Sequence, residues 1–323
     1  MRAIRVTRLD GPDAVELAEV DEPTGDGVLV DVYAAGAAFP DALLTRGLYQ
    51  YRPDPPFVLG AEIAGVVRSA PDGSHVRPGD RVVGLTMLTG GMAEVAVLSP
   101  DRVFKLPDNV SFEAGAGLLF NDLTMYFALT VRGRLRQGET MLVHGAAGGI
   151  GTSTLRLASV LGASRIIAVV STKEKGEIAT AAGATDVVLS EGFKDAVKEL
   201  TGGRGVDIVV DPVGGDRFTD SLRSLAPAGR LLVIGFTGGE IPTVKVNRLL
   251  LNNIDVVGVG WVAWTLSHSG ALAEQWAAIE RLLTSGQLAP PDPDVYPLEA
   301  AAAAVGSLEN RSAKGKVVLR VRD

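Results

Sequence analysis

The sequence predicts a two-part α/β protein, with a β-rich unit in the first 120 residues followed by a doubly wound parallel sheet. Three observations carry this. At 323 residues the chain exceeds what one hydrophobic core usually serves, so about two domains are expected. From Met141 onward, short β-rich runs alternate with runs of helical length and apolar spacing. Before that point the strands are short and are punctuated by Gly and Pro, as in Arg77-Pro78-Gly79-Asp80-Arg81, a pattern typical of antiparallel turns.

In order, the expected strands of the second part are Met141–His144, Arg165–Val170, Asp186–Leu189, Val206–Val210, Arg230–Gly235 and Ile254–Val259. The segments between them, Ile150–Leu161, Lys173–Ala182, Phe193–Leu200 and Asp216–Leu225, have the spacing of helices. Beyond the sixth strand, Ala271–Leu283 is spaced as an amphipathic helix and Lys316–Val321 as a closing strand that returns to the first domain. The Ala300–Ala304 run is a helix former rather than a linker.

Composition narrows the function. Apolar residues make up 46% of the chain, yet no uninterrupted apolar run approaches the roughly 18 residues of a membrane span. The opening Met1–Arg8 alternates like a strand and lacks the apolar core of a secretory signal, so a cytoplasmic protein away from the membrane is expected. A net charge of -7 without a basic run argues against nucleic acid. The absence of cysteine excludes disulfides, thiol chemistry and thiolate-bound zinc.

The most informative stretch is Val143-His144-Gly145-Ala146-Ala147-Gly148-Gly149-Ile150-Gly151, which leaves an apolar run and enters a helix-forming one. Small residues at 146, 148 and 151 fit the dinucleotide-binding spacing, with alanine in the first glycine place. The backbone of Ala146, Ala147, Gly148, Gly149, Ile150 and Gly151 would then meet a pyrophosphate at a helix N-terminus. A glycine triplet alone also serves many tight strand-to-helix turns. The alternation around this one makes a bound nicotinamide nucleotide the leading reading.

Taken together, Phe39-Pro40-Asp41, Arg46-Gly47-Leu48-Tyr49, Gly60-Ala61-Glu62, Pro78-Gly79-Asp80-Arg81-Val82, the glycine turn and Lys314-Gly315-Lys316-Val317-Val318 resemble one family over nearly the whole chain. It is the zinc-free quinone oxidoreductase branch, which includes zeta-crystallin, of the medium-chain dehydrogenase/reductase superfamily. The resemblance implies a GroES-like catalytic domain built from both chain ends (1–120 and 260–323). A Rossmann NADPH-binding domain (121–259) is inserted in it, with the active site in the cleft between them. Zinc-dependent relatives carry Gly-His-Glu where this chain has Gly60-Ala61-Glu62; alanine cannot ligate, so no metal is expected. His75, His144 and His268 form no metal-spaced pair.

An acidic residue usually ends the second strand of an NAD-preferring Rossmann domain. Here Ser171 stands there, and the resemblance makes Lys175 the contact for the 2′-phosphate of NADPH; the other reading of Lys175 is a solvated helix lysine. Ser190 stands where the family often has a tyrosine in that pocket. Arg311 matches a family arginine that reaches the cofactor phosphate, with a salt bridge in the tail as the alternative.

For the chemistry, Tyr49 matches a family tyrosine beside the nicotinamide, where it either donates to a substrate oxygen or only packs. Ala38 replaces the asparagine that the family commonly has before Phe39. Thr124 resembles the position that touches the nicotinamide carboxamide, and Asn121 would add a polar contact; for both, capping of a helix starting near Met125 is the competing role. Phe236 is either a cofactor-facing loop residue or core.

The function implied is NADPH-dependent, zinc-independent hydride transfer to a small-molecule acceptor, a quinone or related activated carbonyl. The alternatives are reduction of an α,β-unsaturated carbonyl and a non-catalytic NADPH-binding, crystallin-like protein. The sixth strand, with Asn253–Val259 at the sheet edge, is expected to pair with its copy in a homodimer.

Overall fold

A computed structural model describes residues 1–322. The chain divides into two compact units, Met1–Leu123 with the chain from Gly270 onward, and Thr124–Ser269. The expected boundaries at 120/121 and 259/260 thus fall at 123/124 and 269/270. The larger difference is the helix Trp261–Ser267, whose Trp264 stacks on Phe127 with ring centroids 4.6 Å apart, both within the second unit.

The second unit holds a six-stranded, wholly parallel sheet. Its spatial order is Asp186–Leu189, Arg165–Val170, Thr140–Val143, Val206–Asp211, Leu225–Val233 and Asp255–Gly258. In chain order that is third, second, first, fourth, fifth, sixth, the doubly wound arrangement. Parallel strands covered on both faces need near-continuous apolar runs. Met141, Leu142, Val143, Ile167, Val209 and Leu231 accordingly have no exposed surface.

Five of the six strands lie within a residue or so of the expected spans. The fifth begins at Leu225, five residues before the expected start at Arg230. Pro227-Ala228-Gly229 looks like a turn in sequence. In the structure Ala228 takes a left-handed φ of 61°, and the register against Val206–Asp211 shifts there, so the strand continues through an irregularity.

The first unit is built on a seven-stranded sheet and a three-stranded one. The long strand Val28–Ala37 buries Val28, Val30 and Val32 on alternate positions and pairs antiparallel with Glu62–Ser69. On its other side it takes the C-terminal strand Val317–Arg320, with Val317 opposite Ala37 and Leu319 opposite Ala35. The tail therefore completes the core of the first unit. This pairing sets Lys316, just before that strand, beside the strand that begins at Glu62.

Candidate active site

In the second unit, the glycine turn follows the first strand and leads into the helix Gly149–Val160. The first-turn amides of any helix lack an intrahelical acceptor, and among the described residues no side chain caps this one. Gly145 turns the chain with φ 57°. A Cβ on Gly151 would lie 2.3 Å from the Gly145 carbonyl oxygen, so only glycine lets the helix pack this close. A Cβ on Gly148 would meet nothing nearer than that oxygen at 3.4 Å, which leaves its outer side open. The turn is thus a tight, uncapped helix start able to receive a pyrophosphate.

It stands at the point where strand order reverses, between Thr140–Val143 and Val206–Asp211. That is where open α/β sheets bind ligands. At the end of the second strand, Thr172 caps the helix Lys173–Ala181 by accepting from the Lys175 amide at 3.3 Å. The Ser190 amide donates to Val170 O at 2.8 Å, which sets Ser190 beside Ser171. Ser171, Lys175 and Ser190, distant in sequence, therefore share one corner of the sheet.

Across the reversal point, buried Asp211 organises the next loop. Its Oδ1 accepts from the Val213 and Gly214 amides at 2.8 and 2.9 Å. Burial pushes its carboxyl above the usual range, against the pull of those amides and Arg217. Gly214 takes φ 65°, and a Cβ there would crowd the Phe236 ring at 3.0 Å. Phe236 is therefore a partly exposed loop residue laid over a glycine, not part of the core.

His144 is fully buried. Its Nε2 meets Ser221 Oγ at 2.8 Å and its ring sits edge-on to Phe193. Burial, with Arg217 adding to it, pushes its pKa down to about 3, so it is neutral and supports the turn.

In the first unit, the helix Phe39–Thr45 leads through a turn to half-buried Tyr49. Burial raises the pKa of the Tyr49 hydroxyl, and the Asp41 charge adds to the effect. The phenol therefore stays protonated and can donate. Asp41 is buried and accepts from the Ala38 amide at 2.8 Å and the Gly60 amide at 3.3 Å. Beside it, Glu62 Oε1 lies 2.5 Å from the Lys316 ammonium, and its Oε2 accepts from the Phe120 amide at 2.9 Å. Among the described residues no cluster of His, Cys, Asp or Glu is arranged to hold a metal ion.

Asn121 and Thr124 are both buried and lie within the helix Leu119–Phe127. The helix begins before both, so neither caps it; at a spacing of three they share one face. Arg311 follows the helix Ala301–Glu309 with a left-handed φ of 62° and is exposed, in the first unit. Sequence reasoning passed over Asp41 and Lys316, which appeared only as parts of motifs. A lone charge leading an apolar strand, as in Lys316-Val317-Val318-Leu319, is the signal that marks such a residue.

Residues 24–108 match the alcohol dehydrogenase GroES-like domain, and residues 149–280 match the zinc-binding dehydrogenase domain. The chain is 38% identical to quinone oxidoreductase-like protein 2 of Rattus norvegicus, over 91% of this chain and 85% of that protein. A probable oxidoreductase from Mycobacterium abscessus superposes with a TM-score of 0.91 at 42% identity, covering 99% of both chains. The Escherichia coli quinone oxidoreductase, solved in complex with NADPH, does so with a TM-score of 0.88 at 29% identity, covering 99% of this chain and 100% of that one.

The fold and these matches define a medium-chain dehydrogenase/reductase with a GroES-like domain and a Rossmann domain. Within that superfamily, the chain belongs to the zinc-free quinone oxidoreductase branch.

Proposed function

We propose that this protein is an NADPH-dependent oxidoreductase that reduces quinones or related activated carbonyl compounds without a metal. The observation that carries the reading is the uncapped glycine turn with Ser171, Lys175 and Ser190 gathered at the neighbouring strand end. An anionic dinucleotide fits the first, and a 2′-phosphate fits the second, where Ser171 takes the place of the acidic residue that usually ends this strand in NAD-preferring domains. The Escherichia coli relative solved with NADPH supports the same cofactor.

NADPH, when bound, supplies the hydride. The chain's own residues bind, orient and protonate. Ala146 to Gly151 would hold the pyrophosphate through backbone amides, Lys175 and Arg311 would meet the cofactor's phosphate charge, and Phe236 would be a cofactor-facing loop residue. Thr124 and Asn121 offer polar contacts toward the carboxamide. Tyr49 donates to the acceptor oxygen as negative charge develops on it, the main electrostatic demand of hydride transfer. A quinone already tolerates that charge, so no Lewis acid is needed. Ala61, which cannot ligate a metal, stands where zinc-dependent relatives carry a histidine, so turnover should survive a chelator.

The apolar side chains of Val246, Leu250 and Leu251 lie exposed next to the edge strand Asp255–Gly258, which supports pairing of that edge with a second copy.

The test is NADPH oxidation against a panel of quinones and enones, with wild type and Tyr49→Phe. The expected result is turnover with quinones that falls by up to about a hundredfold in Tyr49→Phe, with NADPH affinity unchanged. Tight NADPH binding without turnover on any acceptor would make the protein a binder instead.

A further inference from the structure

The loops that follow the fourth and fifth strands of the Rossmann sheet are bonded to each other. After Val206–Asp211 the chain runs Pro212-Val213-Gly214-Gly215, and after Leu225–Val233 it reaches Phe236-Thr237-Gly238-Gly239-Glu240. The Thr237 amide donates to Pro212 O at 3.1 Å, the Gly238 amide to Val213 O at 2.8 Å and the Gly215 amide to Glu240 O at 3.1 Å. The approach is close: a Cβ on Gly238 would lie 2.7 Å from Val213 O, and one on Gly214 would lie 3.0 Å from the Phe236 ring.

The first of these loops also touches the glycine turn. A Cβ on Gly145 would meet Val213 Cγ2 at 3.4 Å and Pro212 Cγ at 3.6 Å. The 212–215 loop thus lies between the glycine turn and the Phe236 loop, and whatever fixes it fixes one against the other.

A single oxygen fixes it. Pro212 has no amide hydrogen, so Val213 and Gly214 are the first donors after the strand. Both donate to Asp211 Oδ1, at 2.8 and 2.9 Å. The Asp211 side chain is 1% exposed, and its Oδ2 is buried with no hydrogen-bond partner among the described residues. Because both amides meet the same oxygen, the side-chain oxygen of asparagine could hold them; alanine could not.

We propose that Asp211 is a positioning residue for cofactor binding: through Oδ1 it sets the 212–215 loop and so holds Phe236 in register with the glycine turn. The inference rests on the reading of the glycine turn and Phe236 as cofactor-facing. A loop ordered before the cofactor arrives costs nothing to order on binding, and one that is competent only part of the time weakens affinity by that fraction.

The experiment compares wild type, Asp211→Asn and Asp211→Ala. NMR hydrogen exchange on the free protein reads the Gly238 amide. Calorimetry reads NADPH and adenosine 2′-monophosphate, which brings the 2′-phosphate to the corner at Ser171, Lys175 and Ser190 but carries no pyrophosphate or nicotinamide. In Asp211→Ala the Gly238 amide should lose at least about tenfold in protection and NADPH at least about tenfold in affinity, with adenosine 2′-monophosphate within about twofold of wild type. In Asp211→Asn all three should stay within about threefold, since the acceptor oxygen is kept. Unchanged Gly238 protection in folded Asp211→Ala, equal losses of both nucleotides, or an Asp211→Asn that behaves as Asp211→Ala overturns the proposal. Wild type that binds no NADPH overturns the cofactor reading and this proposal with it; Asp211→Ala that binds NADPH as tightly as wild type overturns this proposal alone. Should Asp211→Ala fail to fold, Gly214→Ala takes its place, because it keeps Asp211 but drives a methyl against the Phe236 ring. It should weaken NADPH at least about tenfold and spare adenosine 2′-monophosphate, and undiminished NADPH affinity there overturns the proposal.

Discussion

The Lys316 ammonium lies 2.5 Å from Glu62 Oε1, with 3% and 1% of the two side chains exposed. The residues are 254 positions apart, and the pair joins the C-terminal strand to the strand that begins at the Gly60-Ala61-Glu62 motif. A carboxylate buried this deeply would be very costly alone. Burial does hold Glu62 above the usual carboxylate range, against the pull of Lys316 and the Phe120 amide. Gly36 stands against the same carboxylate: a Cβ there would come within 2.6 Å of Glu62 Cγ.

Breaking the pair should therefore cost far more than losing a surface ion pair. Lys316→Met leaves Glu62 buried without its cation, and a loss of about 3–5 kcal/mol is expected in urea unfolding. Combining it with Glu62→Gln should restore part of that loss, since no lone charge then remains. A single Lys316→Met as stable as wild type would show that Glu62 is already neutral in the folded protein.

His144 should make folding sensitive to acid. Its pKa is about 3 in the folded state against 6.5 unfolded, so below pH 6.5 the unfolded chain binds a proton that the folded one does not. Its contribution is fully present above 6.5 and is lost as pH falls toward 3. In His144→Phe this component is absent, so the stability advantage of wild type over the variant should shrink by up to about 1.4 kcal/mol per pH unit below 6.5. Unfolding curves at pH 7, 6 and 5 measure this; a gap independent of pH would mean that His144 charges freely in the folded state.

Cofactor choice should depend on the corner made by Ser171, Lys175 and Ser190. A charge-assisted phosphate contact contributes on the order of 1.5–3 kcal/mol, so Lys175→Ala should weaken NADPH at least about tenfold. NADH, which lacks the 2′-phosphate, should be nearly unaffected. Calorimetric titration with both nucleotides decides it, and equal losses would remove Lys175 from the phosphate site.

Association should depend on the face beside the last strand of the Rossmann sheet. Leu250 and Leu251 are about three-quarters exposed, and among the described residues Asp255–Gly258 pairs only with Leu225–Val233. Light scattering should give twice the mass of the 33.6 kDa chain, and Leu250→Asp should shift it toward the monomer. A monomer at micromolar concentration in wild type would end this reading.

Much of the Rossmann unit was legible because its signals are local. Apolar runs that alternate with helical spacing mark parallel strands, and the spacing of Ala146, Gly148 and Gly151 is fixed by the turn itself. Where a local signal misled, as at Pro227-Ala228-Gly229, the competing force was pairing with a neighbouring strand. Phe236 could equally have been core until Gly214 was seen beneath its ring.

By itself, the sequence determined the two-part α/β architecture, the glycine turn and the absence of cysteine. These are properties of residue type and of spacing within about ten positions. Only the tertiary structure decided that Glu62 is paired with Lys316, that Asp41 lies buried on the Ala38 and Gly60 amides, and that Ser190 stands beside Ser171. Burial and Coulomb interaction depend on distance in space, and strand pairing brings together groups that the chain holds far apart.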